Sequence, residues 1–339
     1  MRKFTLASAL LAAATLVLPA AAPAQDMHIV VGMPTTPPNV VHMPIFIAQD
    51  LGFFKKYGVD VKTVALDGGV KVFRAMQAGS VDLGLVPGTV VSVAVSKGAQ
   101  VKGILATLYK FEASMVVRGN IKTMADLKGK RIGIQQPGGF ADILSRTVLR
   151  AAHVNPKDVN FVSIATEDVP ALVADQVDTG ILHVEQEMLA KEKVPSLHAI
   201  ARMWELQPDQ MYTYYVVTDA TIKNKPAALQ AFVKGAIEGA RALYTDRAKV
   251  LPLIVKHTGY PEKVVAQAYD LLVKSCIWDA NTGLNPKRVD FTAKLMEKVG
   301  RIPKDKLPTY DQIVDKTFAE KAIKDIGAWK GPACKTPVF

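Results

Sequence analysis

Residues 120–152 read N-I-K-T-M-A-D-L-K-G-K-R-I-G-I-Q-Q-P-G-G-F-A-D-I-L-S-R-T-V-L-R-A-A, and four local signals in this stretch agree with one another. Thr123 with Asp126 three positions on is an N-capping pattern for a short helix, and Gly129 supplies the left-handed residue that helix ends favour. Residues 131–134 are short and β-leaning. Gln136-Pro137-Gly138-Gly139 then breaks the strand, after which Leu144, Val148 and Ala152 recur every four positions along a second helix. A glycine-rich turn therefore joins a strand to a helix N-terminus. Bare backbone N–H groups and the positive end of the helix dipole meet at such a turn, which is an anion-binding geometry. The plain alternative is a tight turn with no ligand.

The same alternation runs through the first third of the chain. A strand over 27–32 leads into the proline-rich stretch 33–39, and a helix from Pro44 carries Ile47, Leu51 and Phe54 on one face. A strand over 59–64, the Asp67-Gly68-Gly69 turn and a short helix with Val72 and Met76 follow. A strand over 81–86 then meets Pro87-Gly88-Thr89 at the start of another helix, and 101–106 is a fourth strand. Strand and helix alternating at this spacing specify an α/β unit with a largely parallel sheet, whose ligands sit at the carboxyl ends of the strands. Those ends hold Thr35, Asn39 and His42, then Gly68, then Gly88 and Thr89, and last Tyr109.

The pattern restarts at a β-rich segment over 114–118. Beyond the glycine-rich turn, 159–165 is a strand ending at Thr166, and 179–184 is a strand running directly into Glu185 and Gln186. His183 and Glu185 thus mark a strand-to-helix junction. Two further β segments, 196–201 and 211–217, flank a polar loop around Trp204, and the second carries the chain back to the first unit. After Thr218 the patterns are helical only: 226–244 has Leu229, Phe232, Ala236, Ala240 and Leu243 on one stripe, and helices also start at Pro261 and Pro286. This tail should pack around the first unit and brace the second.

The N-terminus stands apart. Arg2 and Lys3 precede an apolar run over 4–18, and Ala22-Pro23-Ala24 places small residues at a cleavage site. This reads as a signal peptide cut near Ala24, and an exported, periplasmic chain starting near Gln25. About 315 residues remain, which suits two compact units. Losing Arg2 and Lys3 lowers the formal net charge of +11 by two. The basic residues are dispersed rather than gathered with aromatics, which argues against a nucleic-acid partner and gives a mild bias toward anionic small molecules. Only Cys276 and Cys334 are present, too few for a cysteine-based metal site; in an exported chain one disulfide is the natural pairing, two free thiols the alternative. The six histidines show no metal-binding spacing, and no cofactor or metal is expected.

Four blocks carry a family resemblance: P-I-F-I-A-Q-D-L-G-F-F-K-K-Y-G-V-D-V from Pro44, M-Q-A-G-S-V-D-L-G from Met76, I-K-T-M-A-D-L-K-G-K-R-I-G from Ile121, and A-L-V-A-D-Q-V-D-T-G from Ala171. In order and spacing the chain resembles the periplasmic solute-binding proteins of ABC importers, in the nitrate, sulfonate and taurine group that also contains thiamine-pyrimidine-precursor binders (NMT1/THI5-like). The resemblance covers nearly the whole mature chain, more weakly after Tyr244. It implies a type II periplasmic-binding fold of two α/β lobes, with two hinge crossovers and an all-helical C-terminal tail. The first lobe is expected over 25–113 plus 215–339, the second over 114–214. A monomer would close on one small molecule, a sulfonate, carboxylate or nitrate-like anion, and deliver it to a membrane permease. Asp175 departs from the family's usual glycine, yet aspartate tolerates the left-handed conformation, so the turn should survive.

Three alternatives remain open from the residues: a pyrimidine-precursor or aromatic-compound binder, a periplasmic ligand sensor, and an enzyme. A thiamine-precursor synthase shares the fold, but its cysteine-rich motif is absent and no nucleophile–base or paired-carboxylate spacing is visible. The ligand-binding candidates are Thr35, Asn39, His42, Gly68, Gly88, Thr89, Tyr109, Gln136, Gly138, Gly139, Phe140, Thr166, His183 and Glu185. The glycine turn suits an acidic group, whereas Glu185 with Phe140, Tyr109 and Trp204 suits an aromatic ring carrying N–H donors.

Overall fold

The computed structural model describes residues 26–331, apart from 67, 135, 136, 138, 139 and 165–167. The leader and its cut at Ala24, the glycine turn at Gln136, Gly138 and Gly139, Thr166 and Cys334 therefore lie outside the described residues. Cys276 itself is not a free thiol.

Ten strands form two sheets of five. They are β1 (His28–Met33), β2 (Asp60–Ala65), β3 (Leu83–Pro87), β4 (Val101–Leu105), β5 (Ala113–Val117), β6 (Arg131–Ile134), β7 (Asn160–Ser163), β8 (Thr179–His183), β9 (His198–Arg202) and β10 (Thr213–Thr218). The first sheet has the order β2-β1-β3-β10-β4 and the second β7-β6-β8-β5-β9. Within each, the strands that open into helices run parallel. The strand following each crossover, β5 in one sheet and β10 in the other, runs antiparallel between its two neighbours. The chain crosses between sheets twice, through residues 106–112 and 203–212. Both antiparallel strands are buried on both faces, which is why they read as unbroken apolar runs such as Ala-Ser-Met-Val-Val and Thr-Tyr-Tyr-Val-Val.

The signals in 120–152 that fall on described residues behave as expected. Thr123 and Asp126 form a reciprocal capping box, with the Asp126 carboxylate accepting from the Thr123 N–H at 2.8 Å, and Gly129 is left-handed. Asp175 also adopts positive φ, at 62°, so the turn survives without glycine. Asp175 further receives Arg118 and Arg131, at 3.0 and 2.7 Å.

Two expectations need correction. The helix from Pro44 does not continue to Phe54: left-handed Gly52 splits it into Met43–Asp50 and Phe53–Lys56. Trp204 is not in a polar loop either. It lies in the short helix Met203–Leu206, buried, with the Arg202 guanidinium over its ring.

After β10 the described chain forms no further strand, only single bridges from Val314 to Gly103 and from Trp278 to Leu108. The helix Pro226–Thr245 lies along Met43–Asp50. Gly239 permits that approach, since a Cβ there would stand 2.1 Å from the Pro44 carbonyl oxygen, and Gly235 makes the same room for Phe54 of the helix Phe53–Lys56. The helix Glu262–Lys274 instead reaches the second sheet's side, packing on Val184–Lys193 with Lys263 paired to Glu192 at 3.0 Å. Among the described residues, no helix is long and apolar enough to cross a membrane, and no cluster of three potential metal ligands occurs.

Candidate functional site between the sheets

The carboxyl end of β1 and the carboxyl end of β8 meet. Asn39 lies in the proline-rich stretch after β1, and Glu185 is the second residue of the helix Val184–Lys193 that starts where β8 stops. The Asn39 side-chain N–H donates to Glu185 Oε1 at 2.6 Å, from one sheet's side to the other. Both side chains are buried, Glu185 completely.

This pair leaves polar atoms unsatisfied. Glu185 Oε2, Asn39 Oδ1 and His42 Nε2 are buried with no hydrogen-bond partner among the described residues. Buried polar atoms are nearly always paired, so three orphans at one seam make it the candidate place for polar groups from outside the chain. His42 is oriented by Thr35, whose hydroxyl lies 3.1 Å from Nδ1. Burial, with the charge of His183 acting in the same direction, lowers the His42 pKa to about 3, so its ring is neutral at ordinary pH. Burial pushes the Glu185 carboxyl up to about 7, and the negative charge of Glu112 adds to this.

Aromatic rings border the seam. Phe140, 37% exposed at the start of the helix Phe140–Ala151, stacks on His183 with centroids 5.3 Å apart and on Phe111 at 5.7 Å. Phe111 in turn meets Tyr212 at 4.4 Å. The structure thus brings Thr35, Asn39, His42, Phe140, His183 and Glu185 to one place.

Other candidates stand elsewhere or have their donors committed. The Gly88 N–H donates to the Tyr212 carbonyl at 2.8 Å, and the Gly68 N–H to the Pro34 carbonyl at 2.8 Å, so neither amide is bare. Thr89 is half-buried in the first turn of the helix Gly88–Ser96. The Tyr109 ring packs under the Arg288 guanidinium at 4.6 Å, against the tail.

Three participants escaped the sequence reading. Glu112, fully buried in the first crossover, holds His183 Nδ1 at 2.5 Å and also accepts from the Val184 N–H at 3.3 Å. Tyr212 sits in the second crossover, its phenol pKa raised by burial and by the charges of Glu112 and Glu185. Tyr260, from the tail, has its pKa raised to about 12 by burial and by Glu185. One signal was available: Glu112 is a lone carboxylate opening the apolar run that becomes β5, where a charge needs a partner.

The NMT1/THI5-like family pattern matches residues 39–248. A Bacillus subtilis chain, YtlA, named as a binding protein, is 24% identical over 296 residues, which is 85% of this chain and 88% of that one. The 4-amino-5-hydroxymethyl-2-methylpyrimidine phosphate synthase THI11 of Saccharomyces cerevisiae is 26% identical over 230 residues, 62% of this chain and 66% of the enzyme. Among solved structures, the periplasmic nitrate-binding protein NrtA from Synechocystis superposes with a TM-score of 0.71 at 14% identity, covering 92% of this chain and 91% of that one. The two-lobe periplasmic-binding-protein fold is therefore shared.

Proposed function

Because the chain belongs to the NMT1/THI5-like family, we propose that it is an extracytoplasmic solute-binding protein of an ABC importer. It takes up one small molecule between its lobes and hands it to a membrane permease. The lobes are 25–113 with 215–339, and 114–214, turning about the two crossovers. The solute is a small organic or inorganic anion of the sulfonate, carboxylate or nitrate kind. What carries the reading is the interlobe seam, where three buried polar atoms on the two proposed lobes have no partner among the described residues. A solute that satisfies them from both sides binds the closed arrangement better than the open one, and that differential affinity is what drives closure.

A second reading has a specific observation behind it. Glu185 Oε2 and Asn39 Oδ1 are acceptors and ask for N–H or O–H donors, while Phe140 offers a ring face. An aromatic solute carrying amino groups, such as a pyrimidine precursor, fits these three.

Catalysis is not proposed. His183 and Glu112 bond to each other, and no nucleophile–base pair occurs at the seam among the described residues. Native mass spectrometry of freshly exported protein tests the proposal: it should show a bound small molecule at a ratio of one per chain, released on denaturation. A chain that carries none and binds none from a panel of sulfonates, carboxylates, nitrate and aminopyrimidines sinks it, and turnover of any bound compound would move it to the enzyme class.

A further inference from the structure

Glu185 Oε2 and Asn39 Oδ1 at the seam are acceptors and suit a solute's donor groups, so the acidic group of the same solute gains from a cationic place elsewhere. Such a place lies where the first crossover meets the tail. Arg288, in the first turn of the helix Pro286–Lys298, is 6% exposed, and Lys110 on the crossover is 4% exposed. Both cations stand over the Tyr109 ring, at 4.6 and 5.5 Å.

Neither forms a direct ion pair among the described residues, although the Asp209 and Asp279 charges act on Arg288 from a distance. Arg288 Nη1 is buried without a hydrogen-bond partner, and Lys110 Nζ donates to the Ser275 carbonyl at 2.9 Å, a neutral acceptor. The acids in the neighbourhood are engaged: Asp209 pairs with Lys287 at 2.9 Å, and Asp279 accepts from the Asn281 N–H at 2.7 Å. Burial, with the Arg288 charge beside it, pulls the Lys110 ammonium down to about 8. A buried guanidinium left without an acceptor is expensive, and two like charges side by side make it more so. One oxyanion would relieve both, with the guanidinium fork supplying directed hydrogen bonds and the ammonium a point charge.

We propose that Arg288 and Lys110, with Tyr109 between them, form an anion-binding site at the junction of the first crossover and the tail, taking a carboxylate or a similar small oxyanion. The acid is either the acidic end of the transported solute or a free anion that pins the crossover to the tail. Only the first source rests on the function proposed above.

The probe is 13C-formate. Stripped by unfolding and refolding, the wild type should broaden the formate carbon signal and show a saturable rise in Tm. Arg288→Gln should weaken formate by at least about tenfold, the loss of one or two charge-assisted hydrogen bonds. In formate-free buffer it should melt no lower than wild type, because a buried cation with an unbonded Nη1 has gone, whereas a merely structural arginine would leave it less stable. Lys110→Met, which keeps the fork, should lose part of the response and decides the matter if Arg288→Gln does not fold. Protein still carrying its co-purified solute separates the sources: no formate response means the solute fills the site, and an equal response means a free-anion site. A wild type indifferent to formate in both forms, or variants that respond as wild type does, overturns the proposal. The presence or absence of a co-purified solute judges the transport reading separately.

Discussion

Asn39 and Glu185 are 146 positions apart, yet the amide of one donates to the carboxylate of the other at 2.6 Å across the two sheets. On the proposed division into lobes its two ends ride on different lobes, so the contact would belong to a closed arrangement. Asn39→Ala removes the side-chain donor that holds Glu185 Oε1, at a cost of roughly 1.5–3 kcal/mol. The expected outcome is a shift toward the open form, read as a larger radius of gyration of solute-free protein in small-angle scattering. An unchanged radius would mean that the contact does not hold the lobes together.

Glu185 also predicts a pH dependence. Its folded pKa, about 7, lies above the ordinary carboxyl value of 4.5. The folded state therefore holds its proton more tightly. The resulting stability is fully present below about pH 4.5, falls as pH rises, and is lost above about 7. His42 acts oppositely, since its folded pKa of about 3 lies below 6.5, and its contribution grows as pH rises through that interval. The two partly cancel in wild type, so the variant is the better probe. Glu185→Gln should gain stability relative to wild type between pH 5 and 8, by up to roughly 3 kcal/mol. Urea denaturation at both pH values checks this, and a pH-independent difference would refute it.

Gly239 tests the packing of the tail on the first lobe. A methyl group there would meet the Pro44 carbonyl at 2.1 Å and Ala48 Cβ at 2.9 Å, both on one helix face. Gly239→Ala should therefore destabilise by about 1–3 kcal/mol although alanine is the better helix former. Calorimetry should show a lowered Tm, and a raised one would mean that the two helices part without cost.

Phe140 tests the aromatic wall. Its ring is partly open to solvent while stacked on His183 and Phe111. Truncation to alanine should leave the melting temperature nearly unchanged and weaken an aromatic solute by about 0.5–1.5 kcal/mol, roughly two- to twelvefold. For nitrate, affinity should stay the same. Calorimetric titration with each solute separates the two readings of the ligand.

The sequence pattern located the strands well because both sheets are built from short apolar runs bounded by Gly and Pro. Arg131–Ile134 coincides with its expectation to the residue. It also singled out Asn39, His42, His183 and Glu185, which the fold brings to one seam, since strand ends in alternating α/β units are where ligands gather. Glu112 and Tyr212 were invisible to that logic: they sit on crossovers, which follow no period. Arg288 was hidden differently. On an amphipathic helix with Lys287, Lys294 and Lys298 around it, one more basic residue reads as solvated surface, and only the fold reveals that this one is buried. Gly52 misled for a related reason, because a single glycine inside a helical stripe does not announce whether it bends or ends the helix.

The placement of β10 between β3 and β4 also orders the molecule's birth. Chains emerge from the ribosome N-terminus first, so the first sheet lacks its fourth member until residue 218 has appeared. The second sheet, whose strands all lie between Ala113 and Arg202, has its full set earlier. The lobe that begins the chain is therefore the last to be finished, and its contacts are among the most distant in sequence, such as Trp278 Nε1 donating to the Val41 carbonyl at 2.8 Å. Distant contacts form slowly. A leading lobe whose sheet cannot be completed before its trailing half is made is left unfinished during synthesis, which suits a chain that is to be threaded through a membrane channel before it folds.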